Sequence, residues 1–152
     1  LGSPGFRTLS WHSIGIGAAL FWSILAVILI SATWQAYYSH FVPRWYFFVT
    51  PVGVVFLYSL IGIFLRWAAL RIPGSPVIWF CALGGLEAIP EHAVGIYRFN
   101  ILEIPLLEGS SAFSIFLFAF FEYVLYWGIV LVLSIGVERV IRAWQAKRTR
   151  QE

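Results

Sequence analysis

Polar and apolar positions alternate along this chain in long blocks rather than in a 3.6- or 2-residue rhythm. Arg7 and Arg44 bracket 36 residues without a formal charge. Within them Ile14 to Thr33 is almost continuously apolar, about the 20 residues that one crossing of a bilayer requires. Trp11 and Trp34 flank the run, where amphipathic rings favour the headgroup zone. A second block, Trp45 to Leu65, holds 21 uncharged residues and ends at Arg66. Pro51 falls in its first two turns, where proline costs a helix least. Arg66, Arg71, Pro73, Gly74 and Pro76 then form a basic turn. A third block begins at Pro76 and is secure to Ala88, after which Pro90, Glu91 and His92 interrupt it. Residues 98–109 mix polar and apolar positions, as an interfacial segment does. A serine at 110 or 111 is placed to cap a fourth helix, which runs to about Val137 with Glu122 as its one interior charge.

This pattern predicts an all-α protein, an integral membrane bundle of four transmembrane helices. The expected helices are 13–34, 45–66, 76–97 and 111–138, with a basic tail at 139–152, all in a single transmembrane domain. The third helix is expected to kink or break near Pro90, because proline removes a backbone hydrogen bond and clashes with the preceding turn. The first run is too long for the apolar region of a cleavable signal.

Composition supports a lipid-solvated surface. Hydrophobic residues reach 61% and charged residues only 11%, against roughly 45–50% and about 25% in soluble domains. Aromatics at 19% exclude a disordered chain. The lone cysteine, Cys81, has no intramolecular partner for a disulfide. The basic residues fix an orientation. With the N-terminus inside, Arg7, Arg66, Arg71 and the five from Arg139 to Arg150 are cytoplasmic, and only Arg44 and Arg98 lie outside. Both ends are therefore expected in the cytoplasm, and in a bacterium the membrane would be the plasma membrane. The C-terminal basic run reads as a flank that attracts anionic lipid, not as a nucleic-acid surface.

All seven acids are glutamates, and none precedes position 87. The first two helices thus read as scaffold. Glu87 and Glu122 each lie ten or eleven residues into antiparallel helices, so both fall near mid-bilayer. An ionised carboxylate at that depth costs roughly 2.5–3.5 kcal/mol on the lenient insertion scale. Such groups are protonated, paired or turned to a wet cavity. Glu87, Glu91 and Glu122 are the candidate catalytic acids, and His92, Tyr97, Arg98 and Asn100 the candidate polar or ligand site. The alternative for Glu87 and Glu122 is structural: hydrogen bonds to Tyr or Trp that hold helices together. The spacing does not match the Glu-x-x-His pattern of di-iron bundles, and no metal site is expected, although Glu91, His92 and Glu122 are chemically able ligands. No cofactor is legible. His12 and His40 read as interfacial residues.

The stretch Glu87 to Pro105 resembles a pattern in membrane-embedded carotenoid and terpenoid cyclases and hydratases, carried by Glu91, Gly95, Tyr97, Phe99 and Pro105. Acids that follow the proline in some of those enzymes are replaced here by Leu107, Glu108 and Gly109. The resemblance implies general-acid chemistry on an isoprenoid, carotenoid or sterol-like substrate. The residues themselves point first to a small accessory or ligand-binding subunit with a mid-membrane carboxylate site. Its expected partners are the lipid bilayer, other membrane subunits or further copies of itself, and a hydrophobic small molecule. A proton or ion pathway through Glu87 and Glu122 in an oligomer is the third reading.

Overall fold

A computed structural model describes residues 4–30, 46–94, 97 and 109–149. It is helical, with no strand among the described residues. The elements are α1 (Pro4–Arg7), α2 (Trp11–Ile30), α3 (Tyr46–Ala69), α4 (Pro76–Ala93) and α5 (Ala112–Arg148). At 1.5 Å per residue, α5 is about 55 Å long, well beyond the roughly 30 Å of a hydrocarbon core. Ser111 caps it by accepting a hydrogen bond from the Ser114 amide at 3.2 Å.

Three helices, α2, α3 and α5, are long and apolar enough to cross a membrane, as a multi-pass membrane protein requires. The expected third span, 76–97, does not meet that standard by composition over its described residues. Its described helix, α4, has 18 residues and carries Glu87, Glu91 and His92. Nor does that helix break at Pro90: it runs through the proline to Ala93. Proline at 90 forgoes one backbone donor, but the Val94 amide closes the C-terminal end on the Glu91 and Pro90 carbonyls.

The helices α2 to α5 pack as a ring in which α2 touches α3 and α5, and α4 touches α5 and α3. The core is aromatic. Trp127 is fully buried at its centre, with Phe80 edge-on at 5.5 Å and Tyr58 at 6.2 Å. Glycines admit it: a Cβ at Gly84 would meet Trp127 Cδ1 at 2.0 Å, and one at Gly62 would meet Cζ3 at 3.0 Å. Small residues are how helices in lipid approach closely without a hydrophobic driving force. At Gly17 the neighbour is Ser134, with Oγ at 2.2 Å and its backbone nitrogen at 2.9 Å from an added Cβ. A Gly17→Ala chain is therefore expected to push α2 off α5 and to unfold in detergent at lower temperature by several degrees, read by thermal melts. An unchanged melting temperature would mean that α2 and α5 do not touch there.

At one end of the ring a polar clasp joins the N-terminal segment to α5. Glu138 Oε2 accepts from the Ser10 amide at 3.0 Å, the Ser10 hydroxyl at 2.9 Å and the Ser13 hydroxyl at 2.6 Å. Its Oε1 accepts from Arg142 at 2.8 Å, and Arg142 also donates to the Thr8 carbonyl at 2.9 Å. Arg66 donates to the Leu9 carbonyl beside it. Arg66 also donates to the Arg7 carbonyl at 3.4 Å, so Arg7, Arg66 and Arg142, from three stretches of chain, come together at one end.

Candidate functional site

Away from the clasp, α3, α4 and α5 bring their polar side chains together. Tyr58 projects from α3, Glu91 and His92 from α4, and Glu122, Tyr123 and Tyr126 from α5. Two hydrogen-bonded groups result. In the first, Tyr58 and Tyr123 both donate to Oε2 of Glu91, Tyr123 at 2.8 Å, and the two phenol oxygens lie 3.0 Å apart. In the second, Tyr126 donates to Oε1 of Glu122 at 2.5 Å, while Oε2 of Glu122 lies 3.6 Å from Nε2 of His92. Nδ1 of His92 is 3.0 Å from the Ala88 carbonyl. A ring nitrogen facing a carbonyl must carry its hydrogen there. Nε2 is then left to face the carboxylate, so protonation of His92 would complete an ion pair with Glu122.

Helical periodicity explains the grouping. His92 sits one turn beyond Ala88, so its ring bonds the preceding turn's carbonyl on the buried side of α4. Glu91 is about 100° around the helix from it and reaches toward α3. On α5, Glu122 and Tyr126 share one face at i and i+4, and Tyr123 points inward between them and Trp127.

Aromatic rings enclose the two groups. Trp22 from α2 stacks on Tyr58 with centroids 3.7 Å apart and meets Tyr126 edge-on at 5.9 Å. His92 is edge-on to Tyr123 at 5.7 Å. Tyr58, Tyr123 and His92 are all buried, whereas Glu91 is exposed on the bundle surface. Both phenols use Oε2 of Glu91, and no described residue bonds Oε1.

The sequence-predicted residues separate in space. Glu91, His92 and Glu122 come together. Glu87 lies one turn away beside Trp127, and its Oε2 and the Trp127 indole nitrogen both lack a hydrogen-bond partner among the described residues. No hydrogen bond joins Glu87 to Glu122; His92 takes that position instead. Tyr97 is exposed and edge-on to Phe116 at 6.4 Å, apart from the cluster. Arg98 and Asn100 lie outside the described residues, as do Gly95, Phe99 and Pro105 of the cyclase-like pattern. Among the described residues no group of three His, Cys, Asp or Glu side chains is placed to hold a metal ion.

Sequence reasoning missed Tyr58, Tyr123, Tyr126 and Trp22 as site residues. On apolar helices their rings read as packing. The available signal was that a buried phenol needs a hydrogen-bond partner, and that the glutamates of α4 and α5 were the acceptors on offer. Comparison of the chain with protein-family models, curated proteins and solved structures returned no match.

Proposed function

We propose that the chain is a multi-pass membrane protein with four spans and both ends in the cytoplasm, and that it is an accessory or ligand-binding subunit. Its mid-membrane cluster takes the polar end of a hydrophobic small molecule. The observation that carries this reading is the asymmetry of Glu91: two phenols from different helices fix one carboxyl oxygen and leave the other for a hydrogen bond from outside the described bundle. Orientation by a few placed polar groups in an otherwise apolar setting is how membrane and small-molecule sites achieve selectivity. The clasp supports the orientation, since Arg7, Arg66 and Arg142 meet at one end. The α4 segment, although too polar to qualify alone, runs beside two apolar helices, α3 and α5, and sets its polar side chains against theirs.

Native mass spectrometry of the chain released from lipid nanodiscs tests this. The expected result is a retained hydrophobic molecule or partner subunit, with retention reduced at least tenfold by Glu91→Gln combined with Tyr123→Phe. A monomer that carries nothing in the unsubstituted chain would overturn the reading.

A second reading is favoured by the aromatic enclosure. The faces of Trp22, Tyr58, Tyr123 and Tyr126 beside carboxyls suit the developing positive charge of an acid-catalysed reaction on an isoprenoid-like substrate. In that case Glu91 is the general acid. Glu91→Gln should abolish turnover of an isoprenoid substrate, and full activity in Glu87→Gln, Glu91→Gln and Glu122→Gln would sink it.

A further inference from the structure

We propose that Tyr58, Glu91 and Tyr123 form a proton-binding site, a ring of three oxygens that takes up one proton and holds it as the neutral carboxyl of Glu91. The inference needs no ligand and goes beyond the ligand-binding reading.

Counting hydrogens leads to it. The ring has three oxygen–oxygen contacts: Tyr58 to Glu91 Oε2, Tyr123 to Glu91 Oε2, and Tyr58 to Tyr123. Each phenol has one hydrogen to donate. With Glu91 as a carboxylate, two hydrogens serve three contacts, and two phenol oxygens 3.0 Å apart face each other without one. A hydrogen on Oε2 fills the third contact. Glu91 then donates to one phenol, that phenol to the other, and the second phenol back to Oε2.

Among the described residues no neighbouring group supplies that hydrogen instead. From α2 the ring is met by Trp22, stacked on Tyr58, whose indole nitrogen bonds nothing among the described residues. From α4 it is met by Glu87, an acceptor when ionised, and by His92, whose nitrogens are directed to Ala88 and Glu122. From α5 it is met by Glu122 and by Tyr126, whose hydrogen goes to Glu122. Trp127 lies beside Tyr58, with its own indole nitrogen unbonded. Among the described residues no Arg or Lys pairs with Glu91, and within the described bundle a proton is what completes the ring. Uptake is a plain protonation: one O–H bond forms on Glu91, water at the membrane face gives the proton, and nothing is oxidised or reduced. Release reverses it. Glu91 lies on the surface of the bundle, while the two phenols are shut away in the core.

Infrared spectroscopy of the full chain in lipid bilayers, with no ligand added and the pH stepped across the range in which it stays folded, tests the site. The expected result is a protonated-carboxyl C=O band that vanishes in Glu91→Gln and shifts in Tyr58→Phe and in Tyr123→Phe, since each removes one hydrogen of the ring. Glu122→Gln should leave that band in place. If no band is lost in Glu91→Gln, the proposal is wrong. Should that variant fail to insert, the Tyr58→Phe/Tyr123→Phe double variant keeps Glu91 and reads the same band; a band unmoved by it overturns the ring. Because ligand retention is scored separately, either reading can fail while the other stands.

Discussion

Alanine at position 84 is expected to cost the bundle more stability than any other single methyl added to it. The new Cβ would sit 2.0 Å from Cδ1, 2.5 Å from Cγ and 2.6 Å from Nε1 of Trp127. These are rigid ring atoms of a fully buried side chain, so neither partner can swing aside cheaply. Trp127 is also hemmed in on its far edge at Gly62, where a Cβ would meet Cζ3 at 3.0 Å. Relief requires α4 to move away from α5. Overpacking of this kind costs about 1–3 kcal/mol where a core can adjust, and the upper end is expected here. Thermal unfolding of Gly84→Ala in detergent should show it as a large fall in melting temperature. Pairing the change with Trp127→Leu should recover part of the loss by opening the space, although the contacts of the indole with Phe80 and Tyr58 are forfeited. If Gly84→Ala alone melts like the unsubstituted chain, α4 does not pack on Trp127 as described. The same displacement would move Glu91 and His92 away from Tyr123 and Glu122, so the stability loss and the loss of the candidate site should appear together.

Glu138→Ala is expected to release the N-terminal segment from α5. The carboxylate accepts three hydrogen bonds on one oxygen and one on the other. Two of its donors, the Ser10 amide and the Ser13 hydroxyl, stand at the start of α2, where backbone N–H groups have no partner within the helix. Ser13 is fully buried, so truncation leaves its hydroxyl with only the Ser10 hydroxyl, 2.9 Å away, to turn to. Hydrogen bonds to a charged acceptor contribute about 1.5–3 kcal/mol each, and they are not additive within one network. A total loss of about 2–4 kcal/mol is expected. Arg142 also loses its anchor and with it the bond to the Thr8 carbonyl. Limited trypsin digestion of the chain in bilayers should then cut after Arg7 many times faster than before, while the spans stay protected. Glu138→Gln should sit between the two, because an amide oxygen still accepts but carries no charge. Equal cleavage rates in all three would show that the clasp contributes nothing.

Both predictions depend on contacts that no stretch of sequence announces. Nothing in the local sequence sets Gly84 or Gly62 apart from the other glycines, and Glu138 is the first charged residue after the last long apolar run. What gives each its consequence is the residue brought opposite to it, 43 positions away for Gly84 and Trp127, and 128 for Ser10 and Glu138. Helix register in a bundle decides that pairing, and register is set by packing along the whole length of two helices, not by local pattern.

The chain by itself determined that its long elements are apolar helices, because backbone polar groups in lipid must be satisfied within the segment and only long uncharged runs can meet that demand. It also placed all acids in the second half and narrowed the cap of the last helix to Ser110 or Ser111, of which the structure uses Ser111. The tertiary structure decided the rest. It carried α4 through Pro90, because helix packing on α5 and α3 holds a turn whose own propensity is poor. And it paired His92 with Glu122 and closed Tyr58 and Tyr123 on Glu91. Phenols look like packing until a carboxyl from another helix is set against them, and only the fold brings the two together.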